Sequence, residues 1–425
     1  VAEASKVRID LAETGRLDVP RLRRRPGTAR LLILADAVSL LLGPRLSAAQ
    51  AAQASGYEVH IAAPHLADHG LNGSGLGIWD IPERPRAGVL KVLRHIRLYG
   101  ALIDALKPDL VHCLGLGAVA YGGLAARLRR LPAVLSLPGV AQGAESGKAL
   151  KLSRRSLGHL MQKAGMALAI GNPRASVVLQ TALDRPRALT SRSQPQRRPF
   201  LIRGAASDLT RFRPCLPAER RPGPPVVLFT SDRLGAADIH VFAAAAALLH
   251  AKGLPGRFVV MGEPRPDQPG AIGIEELAAY QEAGVVEWWG QPADAAPTLR
   301  QADIFCLPGG YAGEIPTPLV EALATGLPVV AGDCPSLRSM VRHGVNGLLV
   351  APRDAQALAG ALERMIGDAE FRQSAASRSR EIAEAEFSLD NFLTASLIVY
   401  RATLGAVPAT RVRLEPQRSS DCPSD

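Results

Sequence analysis

The first place where this sequence offers chemistry is a helix start at Thr317-Pro318 with Glu321 in the following turn. A threonine hydroxyl can cap a helix, and proline suits its first position because the N–H it lacks would be unbonded there anyway. The free amides of such a start, with the positive end of the helix dipole, make a seat for phosphate. A carboxylate one turn on, Glu321, can accept from two adjacent hydroxyls, as a ribose presents them. A plainer reading is equally consistent with these residues alone: Thr-Pro merely starts a helix, and Glu321 balances its dipole.

Nothing elsewhere points to a metal or a bound cofactor. The five cysteines (Cys113, Cys215, Cys306, Cys334 and Cys422) are dispersed, with no C-x-x-C and no histidine at ligand spacing. Neither a disulfide framework nor a zinc site is indicated, and a reducing cytoplasm is the default. Charge is uneven: residues 1–200 carry 29 Lys and Arg against 13 Asp and Glu, and residues 201–425 carry 21 against 26. The basic arginines are not interleaved with aromatics and form no nucleic-acid motif, so no nucleic-acid partner is expected. An anionic membrane surface, a phosphorylated substrate or a solvated face accounts for them. The apolar run from Leu31 to Val38 is short and contains Asp36, which suits a strand better than a signal peptide. No run approaches the roughly 18 apolar residues that span a bilayer. The expectation is a cytoplasmic protein, soluble or peripheral on the inner face of the plasma membrane.

The elements that would position these residues alternate as in a parallel sheet. Strands are predicted at Leu31–Leu34, Glu58–Ala63, Leu110–Cys113, Ala133–Leu137, Ala167–Ile170 and Phe200–Ile202, with helices at Leu46–Ser55, Leu90–Leu106 and Ala118–Leu128. Prolines 214, 217, 222, 224 and 225 then mark a linker, after which a second βα series begins at Val226. The expected organisation is an extension (1–28), a first domain (29–207), a linker (208–224), a second domain (225–386), a closing helix (387–404) and a disordered tail (405–425). The fold class is α/β, with two doubly wound Rossmann-like domains. Facing one another, they would gather the carboxyl ends of their strands around a cleft, where such sheets bind ligands.

Several stretches carry a family resemblance in the right order: Gly56–His60, Pro108–His112, Tyr121–Arg127, Ile202–Gly204, Asp208–Phe212, Val285–Gly290, the Gly313–Val330 segment and Asn346–Val350. In these the chain resembles the family-4 retaining glycosyltransferases of GT-B fold, in particular the bacterial branch that builds capsule, O-antigen and other lipid-linked glycans. The resemblance runs over roughly Arg30 to Leu404. It implies transfer of a sugar from a nucleotide donor, usually uridine diphosphate, with retention and without a metal, to a lipid-linked or glycan acceptor bound by the basic first domain.

Carried over residue by residue, the resemblance puts Arg233 on the donor diphosphate, Glu321 on the ribose, Glu314 near the donor sugar as the catalytic carboxylate, and the backbone of Ile315, Pro316 and Thr317 on phosphate. Gly290 and Gln291 would border the base, with Arg45, His112, Gly139 and Arg203 as further cleft candidates. Three positions depart from the family pattern. The family spaces two glutamates 8 positions apart, yet the residue 8 before Glu321 is Gly313, with Glu314 beside it. The family follows its clamp arginine, five residues on, with a lysine, and here that residue is Asp238. A second histidine commonly follows the first, and here His112 is followed by Cys113 and Leu114. His112 also reads as an ordinary packed strand residue. These departures fit a transferase with altered chemistry, or a copy that keeps the fold as a binding or scaffold partner in polysaccharide assembly.

Overall fold

The structure, a computed structural model, describes residues 7–8, 27–66, 71, 74–82, 89–137, 157–180, 199–219, 222–231, 234–264, 270–310 and 315–405. The chain divides into two compact units, one of residues 1–203 with 391–425 and one of residues 204–390. The expected boundary at 207 lies four residues from that division.

In the first unit eight strands form a parallel sheet: β1 (Val7–Arg8), β2 (Arg30–Ala35), β3 (Glu58–Ala63), β4 (Gly77–Asp80), β5 (Leu110–Leu114), β6 (Ala133–Leu137), β7 (Ala175–Leu179) and β8 (Phe200–Leu201). Their order is β1-β4-β3-β2-β5-β6-β7-β8. Successive side chains of a strand point to opposite faces, and β2 shows why both faces are apolar. Leu32 and Leu34 enter one core with Leu98 and Leu102 of helix α2 (Val89–Leu106), while Leu31 and Ile33 enter another with Ala49 of helix α1 (Pro44–Ala54). The second core also takes Val399 and Tyr400 from the last helix, α12 (Leu389–Thr403).

Two predicted elements change. Ala167–Ile170 is not a strand but the last turn of helix α4 (Leu157–Ile170), and the strand is β7, five residues further on. A four-residue apolar run has no readable period, and here the longer helical stretch before it decides. The helix predicted over Ala118–Leu128 opens as a π turn (Ala118–Gly122) before α3 (Gly123–Leu128). Glycine is needed there: a Cβ on Gly122 would lie 2.6 Å from Leu34 Cδ1, and one on Gly123 2.8 Å from Ala169 Cβ.

The second unit holds six parallel strands: β9 (Val226–Phe229), β10 (Arg257–Val260), β11 (Glu287–Trp288), β12 (Ile304–Leu307), β13 (Val329–Gly332) and β14 (Gly347–Val350). Their order is β11-β10-β9-β12-β13-β14. Every residue of β9, β12 and β13 is buried, as expected of a sheet covered on both faces. In helix α5 (Ala236–Ala251) half of the buried residues are alanines, which lets it lie close, with Phe242 between Phe229 and Phe258 at ring separations of 5.6 and 6.1 Å. Burial of each such ring contributes about 1.5–3 kcal/mol. Helices α6 (Ile274–Glu282), α7 (Ala295–Leu299), α8 (Thr317–Ala324), α9 (Pro335–Arg338), α10 (Ala355–Gly367) and α11 (Ala369–Glu386) complete the unit.

In each sheet the first long strand sits between neighbours reached in opposite directions, β3 and β5 around β2, and β10 and β12 around β9. At such a reversal the connections diverge and leave a crevice at the carboxyl ends, the place where open α/β sheets take ligands.

Candidate functional site

All strands of the second unit are parallel, so the loops leaving their carboxyl ends share one edge. At the reversal between β9 and β12 these are the turn into α5, ending in Leu234 and Gly235, and the loop Pro308-Gly309-Gly310. Asp238, in the first turn of α5, points at that loop. A Cβ on Gly309 would stand 2.5 Å from both carboxylate oxygens, so glycine is what admits the carboxylate. The loop after β14 closes on the same point. Arg353, with a left-handed φ of 62°, donates its backbone N–H to the Pro308 carbonyl at 3.1 Å. Its Nε lies 3.5 Å from Asp238 Oδ1. That separation makes an ion pair but not a hydrogen bond, and Oδ1 is buried without a hydrogen-bond partner. Burial pushes the Asp238 carboxyl above the usual range, with the Arg353 charge opposing it.

Further along the edge, α8 begins one residue earlier than the sequence suggested: Pro316 is the capping position, Thr317 is the first helical residue, and no side chain caps the start. The cap expected of the Thr317 hydroxyl is therefore absent. Proline occupies the cap with extended backbone (φ −62°, ψ 122°), Pro318 has no N–H and the Leu319 N–H donates to the Pro316 carbonyl at 3.1 Å, so the amide of this start that no side chain caps is that of Thr317. Ile315 and Pro316 are buried and Thr317 is exposed. Glu321 is half-buried on the same helix. Arg211, held chiefly by a 2.8 Å bond to Asp294, also feels the Glu321 charge, and both raise its pKa. At the far end of the sheet Gly290 adopts φ 65° after β11, its carbonyl accepting from Gly262 N–H at 2.8 Å, and Gln291 is exposed. Trp288 Nε1 donates to the Gly262 carbonyl at 2.8 Å, tying the exits of β10 and β11 together. Arg233, Gly313 and Glu314 lie outside the described residues.

The first unit is built differently at its own reversal. Asp36, directly after β2, accepts from the amides of Gly117 and Ala118, both at 2.6 Å. Its carboxylate already fills the amide seat that a ligand anion would take. A Cβ on Gly115 would stand 2.6 Å from Asp36 Oδ2, so this arrangement too depends on glycine. In the sequence Asp36 stands only as an interruption of an apolar run, and the one available signal is an acid at a strand's end. Arg45 is half-buried in the first turn of α1, donating to the Leu40 carbonyl at 3.1 Å. His112 lies in β5 with both ring nitrogens engaged, Nδ1 to Tyr400 Oη at 2.9 Å and Nε2 to Ser136 Oγ at 2.8 Å. Burial first and the Arg45 charge second lower its pKa to about 3. The ring is half-buried and held at both nitrogens, which fits the packed strand residue that the sequence also offers. Leu114 is buried at the end of β5, Arg203 is half-buried at the division between the units, and Gly139 lies outside the described residues.

Among the described residues no three His, Cys, Asp or Glu gather as metal ligands. No described helix is long and apolar enough to cross a membrane. Burial raises the thiols of Cys113 and Cys306 well above the reactive range.

Residues 30–166 match the family model described as Glycosyl transferase 4-like, and residues 224–368 that described as Glycosyl transferases group 1. A crystal structure of HepE from Anabaena in complex with UDP superimposes with a TM-score of 0.66 at 18% identity, covering 89% of this chain and all of the other. The fold is GT-B. Among curated relatives of this GT-B chain, a D-inositol 3-phosphate glycosyltransferase of Nocardia farcinica is 34% identical over 180 residues, 38% of each chain. An amylovoran biosynthesis glycosyltransferase, AmsK of Erwinia amylovora, is 43% identical over 72 residues, 16% of this chain and 18% of its own. The chain thus matches well under half the length of these relatives. Each GT-B unit carries a glycosyltransferase-type domain, and the group 1 match spans every loop of the second-unit edge described above.

Proposed function

We propose that this chain transfers a sugar from a nucleotide-sugar donor, UDP-linked, to a lipid-linked or polysaccharide acceptor in bacterial surface-glycan synthesis, with retention and without a metal. The observation that carries the reading is the carboxyl edge of the second sheet. There an uncapped helix start at Pro316-Thr317, a glycine loop at Gly309-Gly310 and the half-buried Glu321 belong to one group 1 segment. The Thr317 amide at the start of α8 suits phosphate, Glu321 suits the ribose hydroxyls, and Gly290 and Gln291 would border a base. Arg233 and Glu314 keep their proposed places on the diphosphate and the donor sugar. The UDP seen in HepE supports this donor class.

Calorimetric titration with uridine and guanosine diphosphates and their sugar conjugates, without added metal, tests the reading. Micromolar binding of one diphosphate is expected, and silence from the whole panel on folded protein would sink it. Glu321→Ala is expected to weaken that binding about tenfold, the loss of one or two ribose hydrogen bonds. Unchanged affinity would make Glu321 a structural residue.

The basic residues of the first 200 positions support an acceptor at an anionic surface. Co-sedimentation with vesicles containing phosphatidylglycerol is expected at low salt. It should fall steeply towards about 0.5 M salt, where the Debye length shrinks to a few ångströms; binding indifferent to salt would contradict an electrostatic contact. Asp238 in a lysine's place favours a second reading, a partner protein without turnover. Donor binding without sugar transfer to any acceptor lipid would mark that case.

A further inference from the structure

We propose that Arg353 is the cation that holds the donor diphosphate in this chain, and that Asp238 is present to aim it. This rests on the donor reading above. Three unfavourable features meet at one point on the carboxyl edge of the second sheet. Arg353 sits at φ 62°, a conformation that favours glycine and that an ordinary side chain adopts only when its surroundings compel it. Asp238 has a side chain only 17% exposed, with one oxygen lacking any hydrogen bond. Gly309 has no room for a β-carbon because the carboxylate fills it. Each is costly alone, and together they have one common result: the Nε edge of Arg353 faces Asp238 at 3.5 Å while the side chain stays 61% exposed. The Arg353 backbone N–H, bonded to the Pro308 carbonyl, fixes the base of the side chain on the same loop.

A guanidinium has two usable edges, and a carboxylate on one leaves paired donors on the other for phosphate oxygens. The remaining nitrogens of Arg353 have no partner among the described residues. The location is the reversal between β9 and β12, beside the turn where the resemblance expects a lysine and the chain has Asp238. Reversing a charge at a diphosphate site without compensation would repel the ligand. Here the compensating cation comes from the loop after β14, a different part of the sequence. If the pair served only to neutralise Asp238, its loss would alter stability and leave ligand affinity alone.

The test compares uridine diphosphate with uridine by calorimetry and NMR titration, on the full chain. Arg353→Gln is expected to raise the diphosphate dissociation constant about thirtyfold and leave uridine binding unchanged, because only the phosphates meet the guanidinium. Asp238→Asn keeps the cation but releases its tether, and an intermediate loss of about fivefold is expected. The double variant Asp238→Lys, Arg353→Gly moves the cation across the pair and removes the left-handed strain. It should bind diphosphate within about threefold of the unmodified chain. Arg353→Gln binding diphosphate as tightly as the unmodified chain overturns the proposal while leaving the donor reading intact. An unmodified chain that binds no nucleoside diphosphate overturns both. Should Arg353→Gln fail to fold, the double variant decides, since a thirtyfold loss there would overturn the exchange of one cation for the other.

Discussion

Gly332→Ala is expected to destabilise the second unit by about 3 kcal/mol and to weaken donor binding with it. Gly332 ends β13, and a β-carbon there would stand 2.4 Å from the Gly309 carbonyl oxygen, 3.0 Å from the Gly309 carbonyl carbon and 3.1 Å from the Pro308 carbonyl oxygen. All three are backbone atoms, so no rotamer change relieves the clash. Leu307 of β12 is registered against Ala331 of β13, which fixes the two strands up to the residue before it. Relief requires the Pro308-Gly309-Gly310 loop to lift, and that loop holds Asp238 against Gly309 and Arg353 against Pro308. Stability and the proposed diphosphate site should therefore fail together. Gly360→Ala is the control. It lies on an exposed face of α10 with nothing within 4 Å of the new methyl, so it should stabilise by about 0.5–1 kcal/mol through helix propensity. Urea unfolding followed by tryptophan fluorescence reads both. A Gly332→Ala loss below about 0.5 kcal/mol would mean that the β12 and β13 exits part freely, against the packing argument.

The doubly wound fold was legible because buried parallel strands write themselves as short unbroken apolar runs. Glu58–Ala63 and Ala133–Leu137 are strands with the limits the sequence predicts. What the pattern could not carry is instructive. Gly77–Asp80 forms β4 although its residues Gly-Ile-Trp-Asp are mostly half-buried and show no apolar run. Its place comes from pairing with β3, a non-local fact. The last helix follows the second unit in sequence yet packs in the first, where Tyr400 meets His112 across 288 positions. No local period encodes such a return.

The site was legible where its signal is local. The run from Ile315 to Glu321 announces a helix start and a carboxylate, and the structure moves the start by one residue because proline can take the capping position itself. Asp238 stood out as a charge of the wrong sign for the resemblance. Its partner did not, since Arg353 sits in a loop whose sequence, Ala-Pro-Arg-Asp, reads only as a turn before a capped helix. Asp36 was equally silent. Its role depends on two amides reached over 81 and 82 positions. Carboxylates are thus the residues whose meaning most needed the fold, because a buried charge is defined by what surrounds it.

The first unit is expected to lose stability on mild acidification because of His112. Its folded pKa of about 3 lies below the ordinary value of 6.5, since burial disfavours the charged ring and Arg45 adds a like charge nearby. Below pH 6.5 the unfolded chain takes up a proton that the folded chain refuses, so stability falls as pH falls towards 3. The cost approaches about 1.4 kcal/mol per pH unit well below 6.5 and sums to about 2 kcal/mol between pH 6.5 and 4.5. Tyr400, whose hydroxyl burial pushes further up, stays neutral throughout, and Ser136 does not titrate, so neither partner can offset the charge. His60 is also lowered, chiefly by burial, and steepens the same limb, so the comparison must be between variants. His112→Gln keeps a donor and an acceptor in place but cannot take the proton. Its stability should be lower at neutral pH and flatter with pH by nearly one proton between 6.5 and 4.5. Parallel curves for the two proteins would show that His112 titrates as a solvated residue, and the buried reading would fail. The flattened curve would instead fit a neutral imidazole at working pH, bonded at both nitrogens and so poorly placed as a general acid.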